Sequence, residues 1–215
     1  MRTLYKILLS LVGLVLIALA LVCSWLFIYT GDLPDIGHLL LFAPSTQSSV
    51  SDPCLISPSL AIPFDHIGKT LQDALAAAES PRLFPDQIAR SLMCGQTGGM
   101  GRYHLNSLRL SWHIRRRFSQ QQIFAIYANR AHFGSGATGV EKASRQFFHK
   151  DTDALNTEEA ALLAGILRAP DSFSPYKHPE KALQRRNQVL EHIAAQGKIS
   201  PSDAARAEAT PVVTP

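Results

Sequence analysis

Two stretches in the second half of the chain decide its fold: Tyr127-Ala-Asn-Arg-Ala-His-Phe-Gly-Ser-Gly-Ala-Thr-Gly139 and Glu158-Glu-Ala-Ala-Leu-Leu-Ala-Gly-Ile-Leu-Arg-Ala-Pro170. The first leads from an apolar helical pattern into a turn, where Gly134 and Gly136 permit the positive φ that other residues avoid. The second repeats alanine and leucine at helical spacing, which is typical of a core helix that ends before a proline. Together they predict helices joined by a tight glycine turn.

The same helical pattern continues on both sides of these stretches. Ser119 with Gln122, and Asn156 with Glu159, have the spacing of capping boxes that begin helices. No strand pattern of any length is present, so the sequence predicts an all-α domain. The helix that follows the Ser119 capping box is predicted to bury Ile123, Ile126 and Tyr127, and the helix over 105–118 has Leu108 and Trp112 along one face. The other predicted helices cover 65–79, 85–93, 140–148, 160–167, 179–196 and a short segment opened by Ser200, with a glycine loop over 94–101.

The N-terminal segment 7–29 contains no charged residue. At about 1.5 Å per residue, a helix of this length crosses a hydrocarbon core of roughly 30 Å. Arg2 and Lys6 precede it, and the positive-inside rule then places the N-terminus in the cytoplasm. A cleaved signal peptide is the alternative. The predicted organisation is a cytoplasmic tail (1–6), a transmembrane anchor (7–29), a linker and domain edge (30–63), the main domain (64–208) and a tail (209–215).

Charge and cysteine content exclude few classes of function. The net charge is +4, and no zinc-ligand spacing or nucleic-acid-binding motif is present, so nucleic acid is not an expected partner. Arg115, Arg116 and Arg117 form a basic cluster that suits an anion or a solvated helix face. Outside the cytoplasm Cys54 and Cys94 would form either a disulfide or two free thiols.

The two stretches closely resemble the C-terminal half of the peptidoglycan glycosyltransferase domain (glycosyltransferase family 51), found in class A penicillin-binding proteins and monofunctional transglycosylases. The resemblance implies a lysozyme-like helical lobe with a smaller, membrane-facing lobe. It also implies lipid II and nascent glycan as substrates, undecaprenyl pyrophosphate as the leaving group, and residence in the inner membrane with the domain in the periplasm, beside other cell-wall synthases. The matching positions are Asn129, Phe133, Gly134, Gly136, Gly139, Ala143, Phe148, Glu158 to Ala161, Leu163, Ala164 and Pro170.

The resemblance also suggests the site residues. The segment Ala76-Ala-Ala-Glu-Ser-Pro-Arg-Leu-Phe84 is similar to the family's first motif, which implies that Glu79 is the general base; an exposed helix-terminal glutamate is the alternative. Positive charge at the pyrophosphate is expected from Arg102 and from the cluster Arg115, Arg116 and Arg117. The donor side is expected to involve Asn129, Gly134 and Gly136. No metal ligands are predicted, although the family leaves a divalent ion, Mg²⁺ or Mn²⁺, open.

The N-terminal half departs from the family pattern. Ser80 replaces the usual aspartate, the Gly-Ser-Thr-Ile-Thr-Gln-Gln motif has no counterpart, and Ser107 falls where a second glutamate is expected. The short interval between Glu79 and Ser107 predicts a reduced small lobe. Three functions follow as hypotheses: a glycosyltransferase, a non-catalytic relative that binds lipid II or glycan or scaffolds cell-wall synthases, and an enzyme that cleaves glycan with a single glutamate.

Overall fold

The computed structural model describes residues 2–30, 33–42, 61–93 and 99–211. Over these residues the chain is mostly helical, as predicted, with one two-stranded hairpin. Short 3-10 helices cover Gly37–Phe42, Phe64–His66, Pro81–Leu83 and Thr152–Ala154. The longer elements are α1 (Arg2–Thr30), α2 (Lys69–Ala78), α3 (Phe84–Leu92), α4 (Met100–Arg117), α5 (Gln120–Arg130), β1 (His132–Gly134), β2 (Ala137–Thr138), α6 (Val140–Phe148), α7 (Thr157–Ile166), α8 (Pro179–Ala195) and α9 (Pro201–Ala209).

The segment 7–29, predicted as an anchor, falls within α1. No helix among the described residues has both the length and the apolar content that crossing a membrane requires. The anchor stays a prediction. Cys23 on α1 is exposed and unbonded. Cys54, Cys94 and part of the predicted linker (43–60) lie outside the described residues.

Helix α7 is the centre of the core. Every residue from Ala160 to Ile166 is buried, and the helix packs against both α2 and α8. Small residues allow this close packing, since a Cβ added to Gly165 would meet the Cγ of Arg185 on α8 at 3.1 Å. The predicted capping box is present: Asn156 Oδ1 accepts from the Glu159 amide at 2.9 Å, and Glu159 Oε2 accepts from the Asn156 amide at 3.1 Å. The second stretch is therefore a core helix, as predicted.

Helix α5 and the hairpin contain the first stretch. The Ser119–Gln122 capping box starts α5, which is buried from Ile123 to Arg130. Gly134 and Gly136 have φ of 78° and 76°, which confirms the predicted glycine turn. The residues beside them pair as the antiparallel strands β1 and β2. The expectation of no strand is wrong here, because strands of three and two residues are too short to show an alternating pattern.

Helix α4 differs most from its prediction. It begins at Met100 instead of residue 105, so residues 100 and 101, predicted as part of the glycine loop, are helical. Leu108 and Trp112 share a face, as predicted, but they are 66% and 52% exposed. The packed face carries Leu110 and Ile114, which have the same helical spacing, and α3 and α5 lie against this helix. Spacing alone could not tell which of the two apolar faces would be covered.

Candidate active site

Glu79, the predicted base, lies at the end of α2. Its backbone is extended, with φ −135° and ψ 131°, while its amide still donates to the Leu75 carbonyl at 3.0 Å. The helix ends here because Ser80 precedes Pro81, and a residue before proline is disfavoured in helical geometry. Glu79 is only 8% exposed. The alternative of an exposed helix-terminal glutamate is therefore wrong.

One oxygen of the Glu79 carboxylate is held and the other is not. Gln87 on α3 donates a short hydrogen bond from Nε2 to Glu79 Oε2. No donor within the described part of the chain reaches Oε1. Gln87 thus fixes the carboxylate and leaves the lone pairs of Oε1 available for another hydroxyl.

Tyr127 on α5 lies close enough to Glu79 for their charges to interact. Its ring is stacked on Phe84, with centroids 4.1 Å apart and planes 9° from parallel. Burial, and then the negative charge of Glu79, raise the pKa of the Tyr127 phenol well above its ordinary value of 10.0. The hydroxyl is therefore protonated and able to donate at physiological pH.

Arg185 on α8 approaches the same corner. Its Nη2 donates to the carbonyl of Ala78 at 3.4 Å and its Nη1 to Gln188 Oε1 at 3.1 Å. Its Nε is buried and has no hydrogen-bond partner in the part of the chain that the structure describes. Burial and the neighbouring positive charge of Arg168 lower the Arg185 pKa, while the negative charge of Glu79 opposes this shift. An arginine stays charged through such shifts, so positive charge lies beside the carboxylate.

The arginines predicted from the sequence make contacts with other groups than Glu79, and their role at the pyrophosphate stays a prediction. Arg115 Nη2 donates to the Arg82 carbonyl at 2.8 Å and to Asp86 Oδ2 at 3.2 Å, which ties α4 to the start of α3. Arg116 lies over the Trp112 ring at 4.7 Å. The other two lie on α4, Arg117 exposed in its last turn and Arg102 half-buried in its first. Across the described residues none of these four is hydrogen-bonded to Glu79.

A cavity of about 760 Å³ opens at Ser80, directly after Glu79. Arg82 and Arg115 are the charged residues of its lining, and Phe84, which is stacked on Tyr127, also lines it. The remaining lining residues are mostly aromatic or polar: Phe64, Pro81, Pro85, Phe118, Ser119, Gln120, Gln121, Ile123 and Phe124.

The three residues predicted on the donor side have structural contacts. The Asn129 side chain accepts from the Ile62 amide at 3.1 Å and donates to the Ile62 carbonyl at 2.8 Å, which holds the entering chain against α5. A Cβ on Gly134 would meet Pro170 Cβ at 3.1 Å, so the hairpin lies against the end of α7. Gly136 has open space around it and offers its carbonyl to Lys142. Their role in substrate binding stays a prediction.

Ser107 is half-buried on α4 and brings no carboxylate to the site. In the parts of the chain that the structure describes, no three His, Cys, Asp or Glu side chains lie together as ligands for a metal ion.

Three neighbours of Glu79 were not predicted from the sequence: Gln87, Tyr127 and Arg185. Tyr127 lies in the most informative stretch, and its apolar spacing indicated only burial. Gln87 is eight residues beyond Glu79 and lies on the next helix, with Pro81 and Pro85 between them, so no local motif relates them. Arg185 reaches the site only because α8 packs on α7 and α2, which no short-range pattern reveals.

Comparison with known proteins agrees with this architecture. A family model described as Transglycosylase matches residues 84–194, just over half of the chain. The match includes Gln87, Tyr127 and Arg185 and begins shortly after Glu79.

Two curated relatives of this chain are penicillin-binding proteins. The chain is 40% identical over 115 residues to penicillin-binding protein 1A of Aquifex aeolicus, covering 54% of this chain and 16% of the relative. It is 42% identical over 94 residues to penicillin-binding protein 1A/1B of Bacillus subtilis, covering 43% of this chain and 10% of the relative. The chain thus spans less than a fifth of the length of these relatives.

A solved structure shares the fold. The crystal structure of penicillin-binding protein 1A from Haemophilus influenzae superposes with a TM-score of 0.51 at 21% identity, covering 72% of this chain and 18% of that one. With the family match over residues 84–194, the chain belongs to the transglycosylase family, the peptidoglycan glycosyltransferases of the class A penicillin-binding protein type.

Proposed function

We propose that this protein polymerises lipid II into glycan strands and releases undecaprenyl pyrophosphate. The observation that supports the proposal is the burial and hydrogen bonding of the Glu79 carboxylate in a chain that belongs to this family. Its carboxylate is buried, one oxygen is held by Gln87, and Oε1 has no donor among the described residues. A general base needs this arrangement, because it must be oriented and must keep a lone pair for the proton that it removes.

In the proposed reaction, Glu79 Oε1 accepts the proton of the acceptor sugar's hydroxyl. The hydroxyl oxygen then bonds to the anomeric carbon of the growing chain, and the bond from that carbon to the pyrophosphate breaks with its electron pair.

The departing pyrophosphate requires positive charge. Arg185 is best placed to supply it, because its charge interacts with both Glu79 and Arg168 and its Nε lacks a partner. The predicted cluster is less suitable at Arg115, whose guanidinium already pairs with Asp86. Arg102, Arg116 and Arg117 retain the role of distant cations that attract an anionic lipid.

The proposed location is the inner membrane, with the N-terminus in the cytoplasm and residues 7–29 as the anchor. The support is the apolar surface of α1, on which Leu14, Leu16 and Leu21 are each more than 60% exposed. A helix that exposes apolar side chains all round needs a membrane or another protein around it.

A non-catalytic relative that binds lipid II or glycan is the second candidate. The specific observation in its favour is Ser107, which stands where the resemblance expects a second glutamate. A serine cannot act as a base at neutral pH, so a protein that needs two carboxylates would bind without turnover.

Polymerisation of labelled lipid II by the detergent-purified full-length chain separates the two candidates. The wild type is compared with Glu79→Gln, which keeps the size of the side chain and its contact with Gln87. Glu180→Gln, an exposed glutamate in the first turn of α8, is the matched control.

We expect long glycan from the wild type and from the control, and a loss of about 1,000-fold in Glu79→Gln, within the range for removal of a general base. Equal polymerisation by Glu79→Gln would contradict the assignment of the base. A folded wild type that binds lipid II and makes no glycan would favour the non-catalytic candidate.

A further inference from the structure

Tyr127 has a hydroxyl group that the fold does not use. The residue is 7% exposed and its ring is fixed by the parallel stack on Phe84. Within the described residues the hydroxyl has no hydrogen-bond partner, and it is not among the fully enclosed polar atoms that lack one. A buried polar group is normally paired, so an unpaired hydroxyl that keeps contact with solvent is available to a ligand.

The position and the chemistry of this hydroxyl both point to the base. The Tyr127 ring is stacked on Phe84, and Gln87, which donates to Glu79, lies three residues further along α3 on the same face of the helix. This places Tyr127 and Glu79 against neighbouring side chains of one helix face, and the charge of Glu79 acts on the phenol. Burial and the charge of Glu79 raise the phenol's pKa, so it remains a donor at any physiological pH. A fixed donor therefore lies within range of the charge of a carboxylate whose Oε1 has no donor among the described residues.

We infer that the Tyr127 hydroxyl donates a hydrogen bond to the acceptor-sugar oxygen from which Glu79 removes the proton. This assignment makes Tyr127 a catalytic residue and rests on the function proposed above. A carboxylate and a phenol hydroxyl that reach the same alcohol can bind it together. The carboxylate accepts the proton of the alcohol, and the phenol donates a hydrogen bond to its oxygen.

The contact strengthens during the reaction. As Glu79 takes the proton, negative charge develops on the sugar oxygen, which then bonds to the anomeric carbon while the bond from that carbon to the pyrophosphate breaks. Tyr127 keeps its own proton throughout and stabilises the developing charge through the hydrogen bond. A donor that is fixed before the reaction does this without reorganisation.

Tyr127→Phe tests the inference, because phenylalanine keeps the ring and its stack and removes only the hydroxyl. The matched control is Tyr176→Phe, whose ring is stacked on Phe147 with centroids 5.5 Å apart and which is 46% exposed, away from Glu79. Polymerisation of labelled lipid II, binding of lipid II and thermal unfolding are measured for both variants, for Glu79→Gln and for the wild type.

We expect kcat of Tyr127→Phe to fall about 100-fold, as for loss of one donor to a developing oxyanion. Its KM changes less, and Tyr176→Phe behaves as the wild type. Activity of Tyr127→Phe equal to that of Tyr176→Phe would overturn the inference. So would unfolding of Tyr127→Phe, since the hydroxyl would then serve the fold.

The binding measurement separates this inference from the proposed function. If the folded wild type makes no glycan, the proposed polymerisation fails while the contact is still tested. Weaker binding of lipid II by Tyr127→Phe, about fivefold for one hydrogen bond, would then support the contact, and unchanged affinity would overturn it.

Discussion

Glu141 and Glu79 are both buried glutamates at helix ends, with 5% and 8% of their surfaces exposed, yet their surroundings differ. Glu141 Oε1 accepts from Arg145 Nε at 2.8 Å, and its Oε2 accepts from the amide and the hydroxyl of Thr152 at 3.3 and 3.2 Å. Glu79 has Gln87 on one oxygen and no donor among the described residues on the other. Both oxygens of the Glu141 carboxylate are therefore hydrogen-bonded within the fold, whereas Glu79 keeps one oxygen available to a ligand.

Two adjacent arginines on α8 repeat this contrast. Arg186 is 1% exposed and donates to Asn187 Oδ1 at 2.9 Å and to the carbonyls of Thr210 and Glu208, each at 2.7 Å. Arg185 has a buried Nε without a partner among the described residues, and its charge interacts with those of Glu79 and Arg168. Buried polar groups whose hydrogen bonds are all made within the protein stabilise the fold. Buried polar groups that lack a partner destabilise it, and we propose that a ligand supplies the missing partner here.

The largest effect on stability is expected when the fully paired arginine of α8, Arg186, is replaced. Arg186→Met removes the donors to two carbonyls at the end of α9, so we expect a loss of about 3 kcal/mol in the free energy of unfolding. Arg185→Met keeps the Cγ that packs on Gly165 and removes an incompletely paired cation. We expect its stability to change by less than about 1 kcal/mol and its polymerisation rate to fall about 100-fold.

Urea unfolding and lipid II polymerisation measured on both variants check this pair. Equal destabilisation of the two variants would contradict the contrast between the arginines. Unchanged polymerisation by a folded Arg185→Met would remove Arg185 from the proposed site.

A smaller loss is expected at Glu141. Glu141→Gln removes the charge that receives three hydrogen bonds, which should lower the free energy of unfolding by about 2 kcal/mol. The rate of polymerisation per folded molecule should remain that of the wild type, because the network joins α6 to the segment around Thr152 and does not include Glu79. Denaturant unfolding beside the polymerisation assay measures both, and a stable but inactive Glu141→Gln would show that the two networks are coupled.

The smallest effect is expected at Asp203, a paired carboxylate on the surface of α9. A hydrogen bond from Ser200, helped by the charge of Arg206, lowers the Asp203 pKa from its ordinary 3.8. A lowered folded pKa means that the stabilisation is present above the unfolded value and is lost as the pH falls through the folded one. As the pH falls from about 5 to about 2, the free energy of unfolding of Asp203→Asn should therefore decrease less than that of the wild type. Urea unfolding across this pH range measures the difference, and identical pH profiles of the two proteins would show that the pairing of Asp203 contributes nothing.

Several parts of the fold were predictable because their signals are local. The capping boxes at Ser119 and Asn156 involve residues three apart, and both are present. The glycine turn after α5 follows from the need for positive φ, which Gly134 and Gly136 satisfy. The alanine and leucine pattern of α7 predicted a core helix, since small side chains let α2 and α8 approach closely.

The surroundings of Glu79 were less predictable. Its place at the end of α2 follows from the chain before Pro81, but Gln87, Tyr127 and Arg185 reach it from three other helices. Those contacts depend on tertiary packing and have no fixed spacing in the sequence. For the same reason the sequence presents Arg185 as one of several basic residues, and only the packing of α8 shows that it is the cation near the carboxylate.

We propose above all that Glu79 is the base of a peptidoglycan glycosyltransferase and that its Oε1 accepts the proton of the acceptor sugar. The most direct test measures polymerisation of labelled lipid II and the free energy of unfolding on the same samples of wild type, Glu79→Gln and Glu141→Gln. We predict opposite results: Glu79→Gln inactive and as stable as the wild type, Glu141→Gln active and less stable. A Glu79→Gln protein that polymerises lipid II at the wild-type rate would contradict the account.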